Sequence, residues 1–164
     1  MFLAIPGDVL ANYTSAEAAS VEVGTVAYDP YYKAKFIFLK NNGVGAIAEK
    51  LVAVALGTDK SSYFCALAAA TAAVPGFAGV RVPNATSLAA GEYGWFQISG
   101  KATLQAGTDT TTADDRVVTS NITAGKVEAM AATVASLQAS FGEAVTTTAS
   151  ADVVVMIDRN VWGI

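Results

Sequence analysis

The chain has 164 residues, 53% of them hydrophobic against 15% charged, with a net charge of −4, no histidine and one cysteine. That length suits one domain able to bury a sizeable core. The acidic balance and scattered basic residues argue against nucleic acid as a partner. The missing imidazole excludes Ser-His-Asp and Cys-His nucleophiles and histidine metal sites, and a single cysteine excludes an intrachain disulfide. Much of the apolar share is alanine. A small-residue surface with few charges is poorly protected against association, so the expectation is cover by further copies or by a partner, with an ordinary alanine-rich monomer as the alternative.

In chain order, Met1-Phe2-Leu3-Ala4-Ile5 is apolar but lacks a basic flank, and Pro6-Gly7-Asp8 interrupts it, so it does not read as a secretory signal. No later stretch approaches the ~20 apolar residues that span a bilayer, and no membrane partner is expected. Residues 1–30 read as an extended N-terminal arm or edge segment whose strand-like piece is Ser20 to Tyr28; the alternative is a terminus packed on its own domain. Residues 31–164 read as the β domain. Phe36-Ile37-Phe38-Leu39 is a strand, ended by the turn sequence Lys40-Asn41-Asn42-Gly43. Lys33, Lys35 and Lys40 suit a solvated sheet edge. Val44 to Glu49 could start a helix, and Lys50 to Leu56 reads as a strand.

Ser61 to Ala68 continues the pattern, with Cys65 as a small buried hydrophobe, and Pro75-Gly76 breaks the alanine run behind it. Gly79-Val80-Arg81-Val82 is a strand that Pro83 ends. Gly91 to Ala102 spans a turn, a core aromatic strand and a second turn. On that strand Tyr93, Trp95 and Gln97 share one face, while Phe96 and Ile98 share the other. Lys101 to Gln105 pairs back or crosses over, and Ala106 to Asp115 is a polar loop. Arg116 to Thr119 and Gly125 to Ala131 resume strand character, and Val134 to Phe141 is a strand or short helix. Asp152 to Asp158, apolar on both faces, suits a central strand buried on both sides. This spacing gives a mainly β, single-domain β-sandwich or β-barrel with at most short helices.

No catalytic constellation emerges. Lys60-Ser61-Ser62 is a loop tripeptide without supporting motif. Glu92, Glu128, Glu143 and Asp152 lie in or near turns with nothing to bring two together across a cleft. Asn41-Asn42-Gly43-Val44-Gly45 lacks the lysine and the helix of a phosphate loop. Asp109, Asp114 and Asp115 form an acidic loop that is either solvated or able to hold calcium. No metal, cofactor or enzymatic activity is expected. The Asn-x-Ser/Thr triplets at Asn12, Asn84 and Asn121 read as chance in a threonine-rich chain. Tyr13, Tyr28, Tyr31 and Tyr32 could form a protein-contact or carbohydrate-stacking surface, and Trp162, near the chain end, could pack into a neighbour.

Phe77-Ala78-Gly79-Val80, then Ala90-Gly91-Glu92-Tyr93-Gly94-Trp95-Phe96-Gln97-Ile98-Ser99-Gly100, then Thr123-Ala124-Gly125-Lys126-Val127 resemble a pattern of tailed-phage head decoration, or capsid cement, proteins. The resemblance covers a little over half the chain. It implies a structural virion protein on the outer surface of an icosahedral head, a homotrimer at three-fold positions that reinforces the major capsid protein lattice. A glycan- or receptor-binding virion module, such as a head fibre or tail component, is the alternative.

Overall fold

The computed structural model describes residues 8–14, 21–56, 63–70, 76–108, 110–130, 139–149 and 151–158. Its strands are β1 (Asn12–Tyr13), β2 (Val26–Asp29), β3 (Ala34–Asn41), β4 (Val52–Ala55), β5 (Phe64–Leu67), β6 (Phe77–Val80) and β7 (Tyr93–Gln97) in the first half. There follow β8 (Gly100–Gln105), β9 (Thr110–Thr111), β10 (Arg116–Thr119), β11 (Val127–Ala129), β12 (Gly142–Ala144), β13 (Thr148–Ala149) and β14 (Asp152–Ile157). The fold is mainly β, as its strand-length apolar runs and turn spacing require.

The first sheet runs β1-β7-β6-β4-β5-β3-β2, and a further β7–β3 pairing closes β7, β6, β4, β5 and β3 into a five-stranded barrel. β3 and β7 are antiparallel from Phe36↔Gln97 to Lys40↔Tyr93, whereas β6 meets β7 only at Val80↔Gln97. A second sheet runs β11-β10-β12-β14-β8, and β9 and β13 form a separate ribbon.

Strand alternation then places three cores. Ile37, Leu39, Ile47, Ala53, Cys65, Ala78, Leu88, Phe96 and Ile98 fill the barrel. Phe36, Phe38 and Trp95 point out of it and are covered by Val9, with Leu10, Tyr13 and Val21 packed alongside. On the opposite wall Val52, Val54, Phe77 and Val80 meet Leu104, Val117, Phe141, Val153 and Val155 of the second sheet. A barrel clad on two sides explains why Trp95 and Phe96, adjacent in sequence, are both fully buried.

The described parts of residues 1–30 supply the two outermost strands of the first sheet: Asn12 and Tyr13 pair with Gly94 and Tyr93, and β2 pairs along β3. Several other expectations need correction. β3 is interior to the sheet, so Lys35 and Lys40 do not mark an edge. Val44 to Glu49 makes no helix; it is a loop in which Ile47 and Leu88 exchange backbone hydrogen bonds. The strand at Gly79 begins at Phe77 and ends at Val80. β14 is central in its sheet but buried on one face only, with Val153, Val155 and Ile157 inside and Met156 exposed. β8 crosses over to pair with β14 and not back onto β7. Within the polar loop, Thr110–Thr111 pairs with Thr148–Ala149. Residues 131–138, most of the Val134–Phe141 stretch, lie outside the described residues.

Candidate contact surface

Aromatic side chains line the outer face of β3 and β7. The Tyr93 ring stacks on Phe38 at 6.1 Å, and Trp95 tilts against the same Phe38 at 5.1 Å. Tyr13 meets Phe38 edge-on at 5.6 Å, its hydroxyl donating to the Asp8 carbonyl and accepting from the Asp8 N–H. Phe36 receives Tyr32 edge-on at 5.6 Å, and Tyr32 receives Tyr31 at 5.1 Å. The ladder therefore climbs from a buried centre to the β2–β3 hairpin, where Tyr31 is 87% exposed.

That hairpin is built to be stiff. The Asp29 carboxylate accepts from the N–H groups of Tyr31 and Tyr32 at 2.7 and 3.2 Å, an Asx turn that fixes the tip. Lys33 takes φ of 50°, and Gly100 packs so closely under it that an added Cβ would lie 3.0 Å from the Lys33 carbonyl oxygen. Burial, then the neighbouring Tyr31 and Asp29, raise the Tyr32 phenol above its ordinary value of 10.0.

Of the residues singled out in the sequence, Tyr13, Tyr32, Tyr93 and Trp95 thus share one face and Tyr31 stands at its end. Phe96 lies on the other face, inside the barrel, and Trp162 lies outside the described residues. Tyr28, on β2, is partly exposed. Cys65 is buried, and burial pushes its thiol well up. Of the acidic loop, Asp115 accepts from the Thr112 N–H at 2.7 Å, and Asp109 lies outside the described residues. Among the described residues no three His, Cys, Asp or Glu side chains gather to hold a metal ion, and no helix is long and apolar enough to cross a membrane.

The residue that sequence reading passed over is Arg81. It is fully buried, its guanidinium 5.7 Å above the Phe96 ring. Nη1 donates to the Trp95 carbonyl at 3.0 Å, and Nη2 to the Thr86 carbonyl at 2.8 Å and to Asn12 Oδ1 at 3.0 Å. Asn12 Nδ2 passes the link to Glu92 at 2.9 Å and to the Ser87 carbonyl at 2.7 Å. Desolvation lowers the Arg81 pKa to about 10. Arg81 therefore staples the seam where the β6–β7 ladder is one residue long, and ties the N-terminal strand to it. A lone charge between two valines was the available signal. A bulge beside Gly79, where Ala53 faces Gly79 and Val54 faces Phe77, hid which way it would point.

Compared with protein-family models, with curated proteins and with solved structures, the chain matches none.

Proposed function

We propose that the chain is a phage capsid decoration, or cement, protein. It binds the outside of the major capsid protein lattice as a homotrimer and stabilises the head without making or breaking bonds. The observation that carries this reading is the aromatic ladder ending on an outward tyrosine, presented by a hairpin with little freedom left to lose. A rigid aromatic anchor gives large contact area at small ordering cost. The sequence resemblance supplies the partner, and a β framework with three cores supplies the stiffness. Repetition does the rest, because apolar burial at ~25 cal/mol per Å² adds up over many identical sites.

The test is binding to purified expanded heads, with the copy number per particle counted. Stoichiometry near that of the capsid subunits is expected, and Tyr31→Ser should weaken binding by roughly tenfold or more while leaving thermal stability unchanged, as an exposed anchor does. A few copies per particle together with recognition on a glycan array would transfer the ladder to the receptor-binding reading.

A further inference from the structure

β3 runs out into two adjacent asparagines with opposite surroundings. Asn41 is fully buried, and its amide is committed at both ends. Its Nδ2 donates to the Gly45 carbonyl at 2.9 Å and to the Leu88 carbonyl at 3.0 Å, while its Oδ1 accepts from the Gly43 N–H at 3.1 Å. Asn42 is exposed. It is tied down through its backbone N–H, which donates to the Cys65 carbonyl at 2.9 Å. The loop beyond stands off the barrel: Val44 is fully exposed, and a Cβ added at Gly45 would meet no atom within 4 Å.

Of the asparagines in the chain, Asn42 alone is followed by glycine. That pairing carries a chemistry of its own. The backbone nitrogen of the following residue attacks the side-chain carbonyl carbon of the asparagine, a succinimide ring forms, and ammonia leaves. Water then opens the ring at either carbonyl, giving aspartate or isoaspartate. The sequence consumes one water, releases one ammonia and needs no oxidant or cofactor. A side chain on the following residue hinders the approach and restricts the rotation it requires, and glycine removes both obstacles. Because the reacting groups are neighbours in one chain, closure requires only their geometry and loss of the Gly43 amide proton. Asn41 Oδ1 holds that proton.

We infer that Asn42 is a site of self-modification and that Asn41 controls its rate. While the Gly43 N–H sits on Asn41, the nitrogen keeps its proton and does not turn onto Asn42. Each release of that bond lets the ring close. One hydrogen bond in a surface loop opposes local opening only modestly, so the reaction is slowed and not stopped. The product alters the molecule. An amide becomes a carboxylate, which adds one negative charge to a chain of net charge −4. In isoaspartate the main chain also gains a carbon, between the Cys65 tie on residue 42 and the Asn41 ties on Gly43 and Gly45. Those ties cannot all survive the longer path, so the modified fraction loses anchorage of the loop to the barrel. The inference holds whichever partner the aromatic ladder meets.

The test holds the purified chain at mildly alkaline pH, samples it over days and cleaves it after lysine. The segment between Lys40 and Lys50 carries both asparagines, and chromatography with mass measurement separates its intact, aspartate and isoaspartate forms. Asn42 should convert while Asn41 stays intact, about tenfold or more slowly than in a synthetic peptide of the same residues. An Asn42 that stays intact while the peptide reacts would overturn the site, and conversion as fast as in the peptide would overturn the control by Asn41. Asn41→Ser should speed conversion several-fold in the folded protein, and an unchanged rate would also remove that control. Should the variant fail to fold, amide exchange at Gly43 in wild type takes its place. Mild urea should raise exchange and conversion by the same factor, and conversion that does not follow exchange would separate Asn41 from the reaction. The isoaspartate form, isolated by charge, should melt below fresh protein; equal melting would overturn the loss of anchorage.

Discussion

Arg81 sets a desolvated charge against the hydrogen bonds that hold it. Taking an ion out of water costs several kcal/mol, and the lowering of its pKa to about 10 by desolvation records that cost. Nε finds no partner, yet the two terminal nitrogens satisfy Trp95, Thr86 and Asn12. Hydrogen bonds to a charged group contribute about 1.5–3 kcal/mol each, and orphaned buried acceptors carry a further penalty. The bonds win when only one side is removed. Arg81→Met should therefore destabilise by about 2–4 kcal/mol in a urea titration, and a change below about 0.5 kcal/mol would remove the staple role. The pH dependence follows from the direction of the shift. The folded pKa of about 10 lies below that of the unfolded chain, so between the two values the unfolded chain binds more protons and stability rises with pH. The deficit of Arg81→Met should be flat below that window and widen within it. Gly94 is the companion residue: a Cβ there would lie 2.7 Å from Arg81 Nη1 and 3.1 Å from Leu88. Gly94→Ala should cost about 1–3 kcal/mol by overpacking. It should cost less beside Arg81→Met, whose unbranched chain can bend away; strict additivity in the double-mutant cycle would separate the two positions.

Elements that end a sheet need their backbone groups occupied, and β8 shows how the barrel does this for the second sheet. Gln97 Nε2 donates to the Lys101 carbonyl at 2.8 Å, and the Gln105 N–H donates to the Lys50 carbonyl at 3.0 Å. Lys50 adds an ion pair to Asp152 at 2.7 Å, and that hydrogen bond raises the Lys50 pKa above 10.5. The sign is opposite to that at Arg81. A folded pKa above the unfolded value gives stabilisation that is complete below 10.5 and lost as pH climbs through the folded value. Lys50→Gln should lie a constant amount below wild type across neutral pH and converge with it in alkali; curves that stay parallel there would refute the link. These contacts also show what the sequence made legible. The alternation of Tyr93, Trp95 and Gln97 against Phe96 and Ile98 was readable because side-chain direction in a strand is local. Asp152 to Ile157 misled because a central strand can have a wet face even when its residues are apolar, as Met156 shows. Lys40 was read as an edge guard because pairing partners are set by barrel closure, which no run of residues displays. The contact ladder was half legible: Tyr31 and Tyr32 stood out with Tyr13 and Tyr28 as aromatics able to form a contact surface, while the Asp29 clamp beneath them is a backbone geometry that residue types alone do not display.

At the scale of the molecule, the barrel and the second sheet share a wall. Phe77 of β6 and Phe141 beside β12 stack at 4.2 Å with 6° between ring planes, in a core to which both units contribute. Neither unit can open alone without exposing that core to water. The barrel is also closed weakly at β6–β7, so the pressure of the second sheet on β6 and the Arg81 staple on β7 act on the same seam. Burial on one side of a thin wall thereby becomes rigidity on the other, where the Tyr31 hairpin faces outward. One cooperative transition should follow, with calorimetric and van't Hoff enthalpies equal. Phe141→Ala, made in the second sheet, should lower stability by about 3–5 kcal/mol and shift the loss of barrel hydrogen-exchange protection by the same amount. Protection at Phe36–Leu39 that survives while protection at Val153–Ile157 is lost would mean two independent units. The outward surfaces would then owe their stiffness to the barrel alone.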